Sequence, residues 1–277
     1  MLVAVLDSAM ARSIQHSVTV ITGASSGIGR ATARELARRG SALVLASRRP
    51  LLLSDVAGEC HELGAQAIAV PLDVADEHGL TALAHKAVET FGHLDVWFNN
   101  AGVGVVGRLE DIPAEAVHRG VEINLLSCVY GARACLPHFK HQGHGVLINH
   151  ACLLAEDTPE HMSLYVMAKW GVRGFGAALR QEVASSGIHV CTLLSGPVDS
   201  SFYEHAANFT HRTLEAPVRR LDPEAVAQAV VRCIEHPKPE VTVRGGAGTP
   251  GLSRHRVEPD PGALFEPAPD GRLAPIA

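Results

Sequence analysis

Residues 18–29 read VTVITGASSGIG, and this stretch decides the fold. Its first four residues form a β-branched run, the pattern of a buried strand. The next eight form a glycine-rich turn spaced G-x-x-x-G-x-G, and a helical pattern follows from Arg30 to Arg39. Glycines let a backbone approach a pyrophosphate, and a helix N-terminus supplies free N–H groups to it. The stretch therefore predicts the phosphate-binding start of a dinucleotide fold.

The same alternation of strand and helix continues to Val243. The predicted strands are Val18–Ile21, Ala42–Ala46, Ala67–Val70, Leu94–Phe98, Gly145–Ile148, Ile188–Leu194 and Val241–Val243. The predicted helices are Arg30–Arg39, Leu51–Leu63, Glu77–Phe91, Ala114–Gln142, Ser163–Ser186 and Pro223–His236. Single helices between strands imply right-handed crossovers. We therefore expect an α/β, single-domain Rossmann fold, a doubly wound, seven-stranded parallel sheet with helices on both faces.

The alternation also sets the domain boundaries. Residues 1–16 precede it and are expected to form a flexible leader, and residues 17–244 form the folded domain. Residues 245–277 lose the apolar periodicity, and 12 of these 33 residues are Gly or Pro. That composition predicts an extended or disordered tail.

Composition excludes several classes of partner and compartment. A net charge of −5 with mixed signs argues against nucleic acid or an anionic membrane surface as a partner. The six cysteines are scattered without a C-x-x-C pair, which is typical of reduced thiols in a cytoplasmic protein. No apolar run is long enough to cross a bilayer, and the leader lacks the basic start of a secretory signal. His138, His141 and His144 lack a carboxylate or cysteine to complete a metal site, so we predict no metal.

A second motif lies at the start of the helix predicted from Ser163. Tyr165 and Lys169 are four residues apart, so they share one face of a helix. A nearby cation favours the phenolate and is expected to draw the pKa of the tyrosine down. Alone, the pair is weak evidence, because a tyrosine and a lysine at this spacing more often lie on a solvated helix surface than perform chemistry.

Four motifs together resemble the short-chain dehydrogenase/reductase family over residues 18–243. They are the glycine-rich turn, the sequence NNAG at 99–102, Asn124, and the Tyr165/Lys169 pair. The resemblance implies that Tyr165 exchanges a proton with a carbonyl or alcohol oxygen while a nicotinamide exchanges hydride with its carbon. It implies that Lys169 binds the nicotinamide ribose and that Asn124 kinks its helix and supports a proton relay.

The second strand gives the nucleotide preference. An acidic residue at its end would select NAD, but this chain has Ser47, Arg48 and Arg49 there, with Arg30 as possible help. Arginines favour the 2′-phosphate of NADP(H). With the family positions, the expected cofactor contacts are Gly23, Ser25, Ser26, Gly27, Ile28, Gly29, Ser47, Arg48, Arg49, Asp73, Val74, Asn100, Ala101, Gly102, Tyr165, Lys169, Gly196, Val198 and Ser200.

One position departs from the family pattern. The family's catalytic serine typically lies thirteen residues before the tyrosine, and that position is Cys152. A thiol is a weaker hydrogen-bonding group than a hydroxyl. In one alternative, Cys152 replaces the serine and the substrate is a carbonyl. In a second, the substrate has a C=N or conjugated C=C bond and its reduction needs no serine. As a third alternative, the chain is a low-turnover NADP(H)-binding sensor or assembly protein. Ser163 lies nearby in sequence, but nothing places it in the serine's role. His150 could also compensate for the serine, although a histidine after a strand more often has a local partner.

The segment after the sixth strand is expected to cover the substrate. Its aromatic and histidine residues indicate an apolar or aromatic small-molecule substrate, or a hydrophobic contact that holds the segment down; they are Phe202, Tyr203, His205, Phe209 and His211. The helices from Ala114 and Ser163 are apolar on more than one face. In the family these helices form the subunit interface, so the resemblance implies a homodimer or homotetramer.

Overall fold

A computed structural model of the chain describes residues 12–153, 159–210, 212–215 and 220–244, with short strands at 256–257, 265–267 and 273–275. Residues 1–11 of the predicted leader, His211 of the predicted substrate segment, and the rest of the predicted tail lie outside the described residues.

Seven strands form the central sheet: β1 (Val18–Thr22), β2 (Ala42–Ser47), β3 (Ala67–Pro71), β4 (Val96–Asn99), β5 (Gly145–Cys152), β6 (Ile188–Ser195) and β7 (Glu240–Val243). Their order is β7-β6-β5-β4-β1-β2-β3, and every pair is parallel. The chain starts in the middle, moves outward to β3 and returns to the other side of β1. The loops after β1 and β4 therefore diverge and leave a crevice at the carboxyl ends of the strands. This confirms the predicted fold class.

Helices cover both faces of the sheet: α1 (Gly27–Arg38), α2 (Pro50–Glu62), α3 (Glu77–Phe91), α4 (Ala114–Val121), α5 (Ser127–Gln142), α6 (Ser163–Glu182) and α7 (Pro223–Glu235). Neighbouring residues of β1 point to opposite faces, as strand geometry requires. Ile21 packs with the layer that contains α1, α2 and α7. Val20 packs with the layer that contains α3, α5 and α6. Helices cover the sheet on both faces, so both faces of each central strand are buried. This explains why the strands appear in the sequence as continuous apolar runs.

The long helix expected over Ala114–Gln142 is interrupted. A π-helical turn, Glu122–Leu126, lies between α4 and α5. Its centre is Asn124, whose side-chain amide donates to the Gly120 carbonyl at 3.0 Å and to the Val103 carbonyl at 2.9 Å. The Asn124 side chain therefore binds a backbone carbonyl of the preceding helix, Gly120 O. Such π-helical turns occur frequently at functional sites.

Three further segments carry structure that the sequence did not predict: residues 12–16, the substrate segment and the tail. Residues 12–16, assigned to a flexible leader, pack on the domain, since Arg12 N donates to Glu235 O at 3.0 Å and Ile14 is buried. The substrate segment carries a short strand, Ala207–Asn208, that pairs in parallel with Val105–Val106. In the tail, Arg256–Val257 pairs with Leu214–Glu215, and Phe265–Pro267 pairs with Leu273–Pro275. Among the described helices, none has the length and apolar content needed to cross a membrane.

Candidate active site

A cleft of about 400 Å³ opens at the carboxyl ends of the central strands. Its volume falls within the range of small-molecule sites. Of the residues predicted as catalytic or as cofactor contacts, those that line it are Gly23, Ser25, Ser26, Gly27, Ile28, Ser47, Arg48, Arg49, Asp73, Val74, Asn100, Ala101, Gly102, Cys152, Tyr165, Lys169, Gly196, Val198 and Ser200. Further lining residues are Leu72, Val103, Ile123, His150, Ser195, Pro197, Ser201, Phe202, Tyr203 and His205.

The glycine-rich turn is held against the loop after β4. Gly23 has a φ of +65°, a conformation that favours glycine. The Thr22 hydroxyl accepts hydrogen bonds from Asn100 N at 3.0 Å and Ala101 N at 3.2 Å. Gly29 is not among the residues that line the cleft. A Cβ on Gly29 would lie 2.2 Å from the Gly23 carbonyl oxygen, so this glycine allows α1 to pack against the turn.

The start of α1 presents a positive surface to the cleft. Ser26 precedes the first turn, and within the described chain its hydroxyl does not cap the helix. It accepts a hydrogen bond from Arg49 Nη2 at 2.7 Å, and Ser25 Oγ accepts one from the same nitrogen at 3.0 Å. The first backbone N–H groups of the helix therefore face the cleft beside a guanidinium. This set of donors fits the phosphates of a dinucleotide.

Two arginines give one end of the cleft a positive charge. Arg48 and Arg49 line the cleft, and no carboxylate lies among the last residues of β2 or the two that follow it. The nearest acid along the wall, Asp73, forms a buried ion pair with Arg119 and accepts from Ala75 N at 3.0 Å. Arg119 therefore offsets its charge, and the local excess is positive.

Arg30 does not contribute to this end of the cleft. Its guanidinium pairs with the carboxylate of Glu59 on α2. This pair corrects the expectation that Arg30 helps Arg48 and Arg49 bind a 2′-phosphate.

The Tyr165/Lys169 pair and Cys152 meet at the other end of the cleft. The Tyr165 hydroxyl shares a hydrogen bond with the Cys152 thiol. Lys169 Nζ donates to the His150 carbonyl at 3.1 Å and lies 5.8 Å from the centre of the Tyr165 ring. Both Tyr165 and Lys169 are buried. Their helical spacing therefore brings them to one wall of the cleft.

Burial dominates the ionisation of this group. It raises the pKa of Tyr165 well above its usual value, and the neighbouring Cys152 and Tyr203 raise it further. Burial also lowers the pKa of Lys169. The sequence predicted a lowered Tyr165 pKa, but in this structure the shift is upward, because burial is its largest cause and Cys152 and Tyr203 act in the same direction. Tyr165 stays protonated, which suits a proton donor.

Asn124 is buried behind the residues that line the cleft. It is 1% exposed, does not line the cleft, and its side-chain oxygen accepts from Val103 N at 3.0 Å. A Cβ added to Gly102 would lie 3.1 Å from that oxygen and 3.4 Å from Lys169 Nζ. The sequence motifs NNAG, Asn124 and Lys169 thus converge at Gly102, where an added side-chain carbon would press on the Asn124 oxygen.

Of the predicted substrate segment, Phe202, Tyr203 and His205 line the cleft. The Phe202 ring lies 5.6 Å from the Tyr165 ring and 5.3 Å from the Tyr203 ring. Phe209 packs against the α3/α5/α6 core instead. Tyr203 and Ala206 of this segment share a buried cluster with Cys152 and Tyr165, and Phe202 packs against it. Nothing in the sequence indicated this cluster.

His150 also lines the cleft, and the sequence did not establish a role for its side chain. Its Nε2 lies 2.8 Å from Ser195 Oγ on the neighbouring strand. Burial lowers its pKa to about 3, and Lys169 contributes to the lowering, so the ring is neutral near pH 7.

Comparisons with known proteins agree with this geometry. Residues 17–209 match the family model described as short chain dehydrogenase. An uncharacterized oxidoreductase of Bacillus subtilis (strain 168), YxnA, is 35% identical over 237 residues, which are 84% of this chain and 66% of that protein.

Solved structures give the same result. An alcohol dehydrogenase from the archaeon Thermococcus sibiricus, complexed with 5-hydroxy-NADP, is 31% identical with a TM-score of 0.74, covering 84% of this chain and 98% of that one. A 3-ketoacyl-(acyl-carrier-protein) reductase from Brucella melitensis, complexed with NADH, is 27% identical with a TM-score of 0.73, covering 84% and 99%.

Proposed function

The chain belongs to the short-chain dehydrogenase/reductase family of oxidoreductases, and on that premise we propose that it transfers hydride between NADP(H) and a carbonyl or alcohol substrate. The observation that carries the proposal is the convergence of Tyr165, Lys169 and Cys152 on one wall of a cleft whose other end is cationic. The nicotinamide supplies or accepts the hydride when it is bound.

Tyr165 is the proton donor in the reductive direction. Its hydroxyl faces the cleft beside Cys152, and its raised pKa keeps the proton in place until a carbonyl oxygen becomes basic. Lys169 is held by the His150 carbonyl on the same wall, where a cation stabilises negative charge that develops on the tyrosine oxygen. Asn124 supports both by fixing the backbone at Val103.

Charge supports NADP(H) over NAD(H). Arg49 reaches across the start of α1 through Ser25 and Ser26, and Arg48 lies beside it on the cleft wall. A guanidinium binds a phosphate through two parallel donors. The solved relatives bind different cofactors, since one contains 5-hydroxy-NADP and another NADH. The preference therefore rests on this chain's own arginines.

The substrate end supports an apolar or aromatic small molecule. Phe202 and Tyr203 cover Tyr165, and Val106, Met162 and Val166 complete the same buried cluster. Cys152 supports a second candidate, the reduction of a C=N or conjugated C=C bond, because such a substrate does not need a strong donor at this position. A low-turnover sensor or assembly protein is the third.

A substrate panel separates these candidates. Carbonyl, imine and enone compounds with apolar or aromatic groups are offered with NADPH to the wild type and to Cys152→Ser. We expect carbonyl reduction that increases in Cys152→Ser. Turnover of imines or enones that the substitution leaves unchanged favours the second candidate. Tight NADPH binding without turnover of any compound favours the third.

We also propose that the chain assembles as a homodimer or homotetramer through α6. Met167 and Trp170 are 51% and 48% exposed and lie three residues apart on this helix. The two side chains therefore form one apolar surface that a second copy could cover. Sedimentation velocity at micromolar concentration is expected to give a dimer or tetramer. A monomer there would contradict the proposal.

A further inference from the structure

Carbonyl reduction needs more than one hydrogen-bond donor at the reacting oxygen. Negative charge develops there as hydride arrives, and donors fixed at that point lower the barrier. Tyr165 supplies one donor. Its neighbour at the usual serine position, Cys152, has a thiol, which donates weakly. A substrate carbonyl in this cleft is therefore left with one strong donor unless another side chain provides the second.

Three other hydroxyls at or near the site are less suited to this role. Ser195 Oγ is engaged with His150 Nε2 at 2.8 Å. Ser200 lies at the nucleotide end, since its Cβ would be 3.0 Å from a Cβ on Gly27. Ser163, at the start of α6, is exposed and is not among the lining residues.

Tyr203 has the position that these serines lack. It lines the cleft, is 7% exposed, and belongs to one buried cluster with Cys152 and Tyr165. Burial and Cys152 raise the pKa of Tyr203 while Arg220 lowers it, and no hydrogen bond within the described residues contributes. A buried tyrosine hydroxyl normally has a partner. A hydroxyl that borders a cleft can take that partner from a bound molecule.

The segment that carries Tyr203 is fixed at both ends. Before it, Asp199 N donates to Leu221 O at 2.8 Å, and the buried Arg220 lies 3.3 Å from the Asp199 carboxylate. After it, Ala207 N donates to Gly104 O at 2.8 Å within the short parallel pair. Tyr203 is therefore held in place, as a donor that acts on a transition state must be.

We infer that Tyr203 supplies the substrate-orienting hydrogen bond that the family takes from serine, so that Tyr165 and Tyr203 together bind the carbonyl oxygen of the substrate. The inference rests on the proposed function. The phenol of Tyr203 donates a hydrogen bond and keeps its proton throughout, while Tyr165 transfers its own. The class of substrate that fits is a ketone or aldehyde whose oxygen lies between two tyrosines and whose apolar body contacts Phe202.

The test combines two substitutions in the full chain. Tyr203→Phe removes one oxygen atom and is expected to lower kcat for the best carbonyl of the panel about 100-fold, the effect of losing one such donor. Binding of NADPH, followed by its fluorescence, is expected to stay at the wild-type value. Adding Cys152→Ser to Tyr203→Phe restores a hydroxyl at the serine position and is expected to recover most of the lost kcat. Because Cys152→Ser alone is also expected to raise kcat, the diagnostic quantity is the factor lost on Tyr203→Phe in each background. A purely structural role for Tyr203 would give the same factor in the wild type and in Cys152→Ser, whereas the inference predicts a much smaller factor in Cys152→Ser.

A matched control is Tyr130→Phe, which removes the same atom from a half-buried tyrosine on α5 that is not among the lining residues. It should keep the wild-type kcat. Wild-type kcat in Tyr203→Phe, or a loss that Cys152→Ser does not reduce, overturns the inference and leaves the proposed function standing. A wild type that binds NADPH but reduces no carbonyl overturns both.

Discussion

At the scale of single residues, solvation decides how this site ionises. Tyr165 and Lys169 are both withdrawn from water, so the neutral form of each is favoured relative to the exposed side chain. The tyrosine therefore keeps its proton in the resting site, which is the form that the reductive reaction would use. Oxidation requires a phenolate, which the site supports only where a positive charge offsets the burial.

His150 makes a testable contribution to stability against acid. Its pKa is about 3 in the folded protein against 6.5 for an ordinary histidine, so the unfolded chain takes up a proton first as the pH falls. The stability that depends on a neutral His150 is fully present above pH 6.5, and it is lost progressively as the pH falls from about 6.5 to about 3. Over this window His150 adds a slope of at most about 1.4 kcal/mol per pH unit to the free energy of unfolding.

We expect His150→Gln to flatten this dependence, measured by urea denaturation at several pH values between 4 and 6. His118→Gln, at an exposed position of α4, is the control and should keep the wild-type slope. An unchanged slope in His150→Gln would show that this histidine does not titrate as its burial indicates.

The arginines after β2 carry the prediction on cofactor choice. Arg48→Ala with Arg49→Ala should raise the KM for NADPH about 10-fold or more while changing the KM for NADH little, because hydrogen bonds to a charged phosphate are lost only with NADPH. Steady-state kinetics with both cofactors measure the ratio. Arg30→Ala is the matched control, since Arg30 pairs with Glu59. Equal effects on the two cofactors would remove the charge argument.

Sequence reasoning found most site residues because each lies in a local motif. Gly23, Arg49, Tyr165 and Lys169 line the cleft as predicted. The sign of the Tyr165 pKa shift was not accessible, because it depends on burial by residues distant in sequence. For the same reason, the sequence did not show that Arg30 would face Glu59 on another helix.

At the scale of elements, the loops after β4 and β6 form one wall through a close approach. Gly104 lies next to Val105–Val106, which pairs with Ala207–Asn208. A Cβ on Gly104 would be 2.7 Å from the Cβ of Ala206, closer than atoms can stand. These two loops are separated by about a hundred residues and pair over two residues only, a contact that hydrophobic periodicity does not reveal.

Gly104→Ala is therefore expected to displace the segment that carries Phe202 and Tyr203. The KM for the carbonyl substrate should rise about 10-fold, the loss of one or two hydrogen bonds or apolar contacts, with NADPH affinity unchanged. Gly174→Ala is the control, because a Cβ there meets nothing within 4 Å. A substrate KM equal in the two variants would show that the approach at Gly104 does not position the segment.

The interruption of the helix from Ala114 to Gln142 also depends on a contact between residues that are distant in the chain. The apolar pattern from Ala114 to Gln142 is continuous, so the sequence predicted one helix. The resemblance implied a kink at Asn124, and the structure has a π-helical turn there. The kink depends on side-chain bonds to Val103, which lies 21 residues earlier in the chain. Periodicity records only which face of a helix is buried and does not encode such a bond.

At the scale of the whole molecule, sheet order determines where chemistry is possible. The order β3-β2-β1-β4-β5-β6-β7 places the switch point between β1 and β4, so the glycine-rich turn and the NNAG loop flank one crevice. The motifs on β5 and α6 then face the same opening. This topology was predictable because seven short apolar runs alternate with helices and right-handed crossovers permit few arrangements.

The central claim is that Tyr165 donates a proton to a carbonyl reduced by NADPH. It is tested most directly by NADPH oxidation at 340 nm with the carbonyl panel, comparing the wild type with Tyr165→Phe and measuring NADPH affinity for both. We predict carbonyl-dependent oxidation by the wild type and a loss of at least about 100-fold in Tyr165→Phe with NADPH affinity retained. Equal rates in the two proteins, or no oxidation by a wild type that binds NADPH, would contradict the account.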